Sequence, residues 1–534
     1  MTVTAAPPRG NAVWWSVLCA LCLVLLAPLA VADLPPVLDY PNHLARLYVL
    51  AFVRDDSILA RFYEPHWRII PNLALDLTVP PLLRIWPVHT VGRLMVAVTL
   101  ILPVLGAAAY HRALSGRLSY WPFVSVLFVY NAASLRGFLN FIASVGVALL
   151  FAAVWEAWRE RRPLLAIPIA AAGAVVLFFC HLTGLVFFAA LIGAHDAAIL
   201  IRLARRGRDA ASLLRTTLIR LAAGLAVFAV PIALYAVSGL SDTTGAAEFR
   251  SLSGKAQAAL FPIKNYWLPL DIATGALALM VPAIGLVRRW CVLPLQASLA
   301  LVVLMALFIG LPHGYKGTFD LDTRFVIMAA ALAPAALVSH TLPRRAAIAI
   351  GAGFLLLFLV RMAIVLVVWT NWAGELAAFR AVLAPIQPGD VVLTVRLPRG
   401  QEPSIWTSVA TARRLSDGTV VDAHLPALLL IEHRAWWPFL FDNPSQQPIQ
   451  TNEPYRSLAE RVDGSPDPIA LLTRGEAEMR YFTHVLVVGP EPGPDLIATA
   501  GLRRLTGNRT TALFAIERVA IRPPEGSPPP PSAR

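Results

Sequence analysis

The chain has 534 residues, 57% hydrophobic and 14% charged, with a formal net charge of +13. Soluble domains carry about a quarter charged residues, so a single water-soluble globule is excluded. In a soluble chain the positive charge would point to nucleic acid. Here the arginines cluster in short loops between apolar runs, a pattern that orients membrane spans instead.

The first apolar run predicts a helix over about 13–32, long enough to cross a bilayer. Arg9, the apolar stretch from Val13 and Ala30-Val31-Ala32 imitate a cleaved signal peptide. Retained or cleaved, the segment leaves residue 33 outside the cytoplasm. Cys19-Ala-Leu-Cys22 has the spacing of a redox motif but no strand-helix setting, and reads as membrane filler. No cysteine follows Cys291, so the C-terminal region must be held by its own core.

Residues 33–90 form a long polar and aromatic loop. Its apolar spacing at Leu44, Leu47, Tyr48, Leu73 and Leu77 predicts two short amphipathic helices on the membrane surface, with Arg46, Arg54 and Arg61 toward headgroups. Its opening carries Asp33, the Pro35-Pro36 break, and Asp39-Tyr-Pro-Asn-His-Leu-Ala-Arg46. A partly desolvated carboxylate at a membrane exit has a raised pKa and can take a proton from a hydroxyl nucleophile. Asp39 is the first candidate for that role, with His43 on the following helical turn beside it and Asp33 as an alternative acid. The plainer reading of Asp39 is an N-cap before a helix opened by Pro41.

Further spans are predicted near 91–110, 121–135, 138–155, 164–180, 183–201, 217–238, 270–287, 292–311, 325–341 and 346–370. The apolar run 164–203 is too long for one helix and is divided at His181-Leu-Thr-Gly184. Arg112, Arg117, Arg159, Arg161, Arg162, Arg202, Arg205, Arg206, Arg208, Arg288, Arg289, Arg344 and Arg345 then fall on one side, while the opposite short turns hold Arg136 alone. That asymmetry makes the first side cytoplasmic. About eleven spans give a cytoplasmic N-terminus and place the C-terminal domain in the periplasm of a bacterial inner membrane.

The outer side gathers the polar inventory. Arg136, Asn140 and His181 stand at the outer ends of internal spans, where ionisable groups face a cavity or bond helix to helix. The loop before Phe325 carries His313, Tyr315, Lys316, Asp320, Asp322 and Arg324. Arg324 at a helix mouth can hold two phosphate oxygens; otherwise it snorkels to headgroups or pairs with Asp320 or Asp322. Asp320-Leu-Asp322 leaves a divalent metal open as cofactor, though the spacing alone assigns no metal ligand.

The tail from 373 to 520 changes composition. Asp390–Val395, Ala427–Glu432, His484–Gly489 and Ala512–Glu517 read as strands, alternating with helical stretches 454–462 and 468–473. This predicts a small extracytoplasmic α/β domain after a transmembrane part covering 1–372. The aromatic run Arg434-Ala-Trp-Trp-Pro-Phe-Leu-Phe-Asp-Asn-Pro444 is domain core, a membrane-docked face, or the cover of a sugar or lipid chain. Residues 521–534 are Pro-rich and predicted to be disordered.

One long opening span, an acid just beyond it in a large outer loop with surface helices, many further spans and an outer C-terminal domain resemble the GT-C superfamily of polytopic glycosyltransferases. The resemblance implies a mainly α polytopic fold and a sugar carried on polyprenyl phosphate as donor. It implies that Asp39 or Asp33 serves as base or metal ligand, and Arg324 resembles the basic residue that meets the lipid phosphate. On the leading reading Lys316 or Arg324 holds that phosphate, with Tyr315 on the same loop. Asp39 is followed by Tyr40, so the paired-acid dipeptide of the protein mannosyltransferases is absent. Asp39–Arg46, Gly137-Phe-Leu-Asn-Phe141, Ile431–Phe441 and Gln446-Gln-Pro448 also resemble uncharacterised proteobacterial membrane proteins. The expected partners are a polyprenyl-phosphate-linked sugar, membrane lipid and a glycan, lipid or protein acceptor, with no nucleic acid. An enzyme of this kind should join Asp39 to Arg324 in one cavity opening toward lipid. The competing class is a non-catalytic binding or assembly protein, or a lipid-glycan transporter, of the same architecture.

Overall fold

The computed structural model describes residues 8–240, 245–397, 413–465, 471 and 477–517. The protein is a mainly helical membrane protein capped by a mixed-sheet domain. Its helices, in chain order, are α1 (Pro8–Leu26), α2 (Tyr40–Phe52), α3 (Ser57–Phe62), α4 (Ala74–Leu83), α5 (Val88–Ser115), α6 (Ala132–Arg136), α7 (Leu139–Trp158), α8 (Pro163–Cys180) and α9 (Leu182–Arg205). They continue with α10 (Ala210–Ala236), α11 (Leu252–Ala258), α12 (Leu268–Val287), α13 (Leu295–Gly310), α14 (Thr323–Ala336), α15 (Arg344–Leu383), α16 (Leu428–His433), α17 (Tyr455–Asp463) and α18 (Pro494–Thr499). Among the described residues, eight are long and apolar enough to cross a membrane: α1 with its 3₁₀ extension, α5, α7, α8, α9, α10, α12 and α15. The expected spans near 292–311 and 325–341 are the shorter apolar helices α13 and α14. The break at His181 is where it was expected, since the residue is extended at φ −169° between α8 and α9.

The span expected at 121–135 is not one helix. It divides into a 3₁₀ helix, Trp121–Phe128, and the short α6. Polar side chains make the division. Asn131 accepts the Ala133 and Ser134 amides, and Ser134 accepts the Asn131 amide in return. Such a reciprocal cap starts a new helix and gives buried N–H groups partners inside an apolar environment.

Helix α15 sets the shape of the outer end. Its 40 residues span about 60 Å at 1.5 Å per residue, roughly twice a bilayer core. It therefore runs through the 372/373 position where the tail was expected to begin. Its last turns bury Trp369, Trp372, Leu376, Phe379, Val382 and Leu383. Trp372 Nε1 donates to the Leu34 carbonyl at 2.7 Å, and Trp369 Nε1 to the Tyr266 hydroxyl at 3.0 Å. These bonds tie the helix to the chain just beyond α1 and to the loop before α12.

Among the described residues, eight strands complete the fold: β1 (Tyr63–Pro65), β2 (Cys291–Val292), β3 (Val338–Ser339), β4 (Val392–Arg396), β5 (Ile449–Thr451), β6 (His484–Val488), β7 (Leu502–Gly507) and β8 (Thr511–Ile516). The tail sheet has the order β4-β6-β8-β7, parallel between β4 and β6 and antiparallel elsewhere. Ala427–Glu432, expected as a strand, is a 3₁₀ turn followed by α16, with Ala427 to Ile431 all buried. Five consecutive buried apolar residues fit a buried helical turn as well as a two-sided strand, and periodicity cannot separate them. The expected helix at 468–473 lies, apart from Leu471, outside the described residues, as does the tail 521–534.

The first loop does not lie as free surface helices. It packs under the tail: β1 pairs antiparallel with β5, and Asn42 exchanges two hydrogen bonds with the Phe439 carbonyl and Phe441 amide, at 2.7 and 2.8 Å. Arg46, expected to face headgroups, is 3% exposed. Its guanidinium takes both Asp76 oxygens at 2.8 and 3.2 Å. The aromatic run resolves as core, with Trp436 and Trp437 each 1% exposed.

Candidate functional site

Two polar centres meet on one short segment, Arg136–Phe141. The Asp39 amide donates to the Arg136 carbonyl and the Leu38 amide to the Leu135 carbonyl, both at 3.0 Å. Gly137 ends α6 at φ +92°, a left-handed conformation that glycine adopts without a Cβ clash. A Cβ there would also lie 2.8 Å from both the Asp39 Cβ and its amide nitrogen. The glycine thus lets the Asp39 backbone rest on the turn.

Asp39 stands at the start of α2 without capping it; its side chain makes no cap bond. Its Oδ1 lies 3.1 Å from Nδ1 of His424, a residue of the tail. The imidazole is packed edge-on against Phe441 and Trp437. Asp33 stands apart: Arg380 of α15 pairs with it at 2.9 Å and with Glu432 of α16 at 2.7 Å.

His43 is engaged elsewhere. Arg46 can only donate, so its 3.2 Å contact makes His43 Nδ1 an acceptor, and the Gly137 backbone also acts on the ring. Burial, then the Arg46 charge, hold its pKa well below the usual histidine range. Among the described residues no side-chain hydrogen bond joins His43 to Asp39, so the expected assistance is not seen. His43 braces the turn instead.

The second centre is Arg324, 7% exposed. Its Nη1 donates to His181 Nε2 at 2.8 Å, and its guanidinium stands over the Phe138 and Phe141 rings at 5.4 and 5.7 Å. At the other edge of the ring, His181 Nδ1 accepts the Thr183 amide at 3.1 Å and meets the Thr183 hydroxyl at 2.8 Å. Burial and the Arg324 charge hold the pKa of His181 well below the usual range, so the imidazole adds no charge. Among the described residues no carboxylate lies within 4 Å of Arg324 to form an ion pair. The expected alternative, pairing with Asp320 or Asp322, is not what is found.

Those two acids are held by other cations. Asp320 meets Arg136 and Arg250; Asp322 meets Arg250 at 3.2 Å and Lys255 at 2.9 Å. Arg136 also reaches Asp417 at 2.9 Å, and Lys264 comes within 3.9 Å of the same acid. Burial alone would raise the Asp417 carboxyl, but Arg136, the Thr419 hydrogen bonds and Lys264 hold it below its ordinary value. Arg136 and Lys264 both lie over the Phe261 ring, at 4.7 and 5.2 Å. The cluster sets five cations (Arg136, Arg250, Lys255, Lys264, Arg324) against three acids (Asp320, Asp322, Asp417). Sequence reasoning placed Arg136 and Arg324 near this face but gave no role to Arg250, Lys255, Lys264, Asp417 or His424. Only the loop position of these residues hinted at them.

The remaining expected residues lie at its edge. Asn140 donates to the Asn72 carbonyl at 2.7 Å, tying α7 to the first loop. Lys316 Nζ turns to the Leu240 carbonyl at 3.2 Å, and Tyr315 is exposed. With its carboxylates bound to cations, Asp320-Leu-Asp322 does not present an open metal site. Glu160, His195 and Asp196 are close enough together to hold an ion. Arg220, however, binds both of those carboxylates, at 2.7 and 2.5 Å. A cavity of 680 Å³ lined by Leu21, His111, Arg117, Trp121, Phe354 and Phe358 touches neither Asp39 nor Arg324, so it is not the cavity expected between them.

No protein-family model matches the chain, and no curated protein does. Among solved structures, the chain is similar to the crystal structure of ArnT from Cupriavidus metallidurans bound to undecaprenyl phosphate. The likeness covers 96% of this chain and 99% of that one, at 12% identity and a TM-score of 0.49.

Proposed function

We propose that this chain transfers a sugar from a lipid-linked phosphate donor to an acceptor hydroxyl, on the periplasmic face of a bacterial inner membrane. The observation that carries the reading is Arg324: a buried guanidinium with no carboxylate partner among the described residues, within a cluster holding two more cations than acids. Burying a charge that has no direct ion-pair partner costs several kcal/mol, and a phosphate anion would offset that cost. Asp39 leans on the same six-residue segment, so base and cation attend the two ends of one bond exchange. The acceptor oxygen attacks the anomeric carbon as its proton leaves toward the Asp39 side, and the anomeric carbon–phosphate oxygen bond breaks. The electron pair stays on the phosphate, where Arg324 meets the growing charge. Attack opposite the leaving group inverts the anomeric centre.

A transporter would place open polar groups at mid-membrane. The buried pair Arg361–Asp271, 2.8 Å apart where α12 begins against the tail, is closed off by Thr274, Ser416 and the Ile263 carbonyl. The test is mass spectrometry of lipid-linked sugars and surface glycans from cells with and without the protein, and with Asp39→Asn. Loss of a glycan and accumulation of its lipid-linked donor, unrestored by the variant, is expected. Unchanged glycans without the protein, or full restoration by Asp39→Asn, would overturn the reading.

A further inference from the structure

We propose that His424 of the tail domain takes the acceptor proton on Nε2, with Asp39 behind it orienting the ring and balancing the imidazolium. The inference rests on the transfer reading above and specifies which atom receives the proton. Three observations carry it.

First, the tail holds His424 firmly against Asp39. Asp422, two residues earlier, is 2% exposed and accepts from Arg396 at 2.8 Å and Arg413 at 3.2 Å. Arg413 in turn grips Glu375 of α15. The His424 carbonyl accepts the Ala427 amide at 3.0 Å, opening the turn into α16. Phe441 and Trp437 pack edge-on against the ring, 5.0 and 6.2 Å away.

Second, the two ring nitrogens differ. Nδ1 is buried and faces Asp39 Oδ1 at 3.1 Å, though off the hydrogen-bond axis. Catalytic hydrogen bonds are often misaligned before substrate arrives and tighten with it. Nε2 has no hydrogen-bond partner among the described residues, and the His424 side chain keeps 23% of its surface exposed. A carboxylate on Nδ1 fixes the tautomer that leaves the Nε2 lone pair free.

Third, the neighbouring groups do not compete. His43 turns its Nδ1 to Arg46, with its pKa held low by burial and the Arg46 charge, and Arg46 is held by Asp76. Asp39 is the charged group facing the imidazole. Histidine suits the task because its ordinary titration range lies nearest the operating pH of a periplasmic enzyme.

In the step, the acceptor O–H proton moves to His424 Nε2 as the oxygen bonds to the anomeric carbon. The bond to the phosphate oxygen breaks, and Nδ1–H strengthens its bond to Asp39. The imidazolium later releases its proton to water.

The experiment uses native membranes with their own polyprenyl-phosphate-linked sugars and follows sugar transfer by mass spectrometry. His424→Ala is expected to lose about 10²-fold or more of the transfer rate and to recover with added imidazole in proportion to its concentration. Asp39→Asn should lose activity and not respond to imidazole, because the resident His424 still fills the space. A merely structural His424 would not be replaced by a diffusing base. Wild-type activity in His424→Ala, or an inactive variant that imidazole leaves unchanged, overturns the assignment while the transfer reading stands. Absence of transfer by wild-type membranes would instead refute the transfer reading itself.

Discussion

Replacing Gly137 by alanine separates the geometry of the Asp39 turn from general backbone strain. The left-handed conformation at φ +92° costs a residue with a Cβ about 1–2 kcal/mol. The new Cβ would also stand 2.8 Å from the Asp39 Cβ and amide nitrogen, where ordinary contact begins near 3.4 Å. Relief requires a shift of roughly half an ångström, yet the Asp39 amide is bonded to Arg136 at 3.0 Å. Loss of that buried bond adds about 1–3 kcal/mol, giving a total near 2–5 kcal/mol. Gly116 is the control: it has φ +71° and nothing within 4 Å of its would-be Cβ, so Gly116→Ala should show the conformational cost alone. Thermal unfolding of both variants in detergent measures the difference, and sugar transfer in membranes reads the displacement of Asp39. Equal stability of the two variants, with transfer intact in Gly137→Ala, would refute the claim that this glycine positions the acid.

Arg46→Met should cost about 3–5 kcal/mol in chemical unfolding, because it leaves Asp76 buried and unpaired; adding Asp76→Leu should return much of that loss, and a double variant no better than the single would contradict it. Arg324→Gln should weaken retention of a polyprenyl phosphate during purification, read by lipid mass spectrometry, with the helical fold intact by circular dichroism. Retention at the wild-type level would count against the phosphate role. Glu432 offers a pH test of the junction between first loop and tail. Burial would raise its carboxyl, but the bonds to His89 and Arg380 prevail and bring it to about 2. A folded pKa below the unfolded one stabilises fully above the unfolded range and is lost as pH falls through the folded value. Melting temperature should therefore decline between about pH 4.5 and pH 2, and Glu432→Gln should flatten that decline.

The local code was legible. Apolar runs long enough for a bilayer placed the long helices, the polar His181-Leu-Thr-Gly184 stretch divided α8 from α9, and short strand-like apolar runs gave β4, β6 and β8. The two elements misread, 121–135 and 427–432, share a cause. Both are short apolar stretches whose form depends on capping side chains or on burial from every side. The importance of the Asp39 stretch was visible because an acid just beyond a span needs a reason, but what it meets was not.

Length, hydropathy and arginine placement alone determined a polytopic helical chain with a separate tail, because spanning a bilayer constrains every residue of a segment at once. Only the tertiary structure decided that Arg46 is buried, that Asn42 bonds a partner 397 positions away, and that Arg136 meets Asp417 281 positions on. Hydrophobic periodicity reports which face of an element is covered. Which charge stands opposite another depends on how distant segments dock, and no local spacing encodes that.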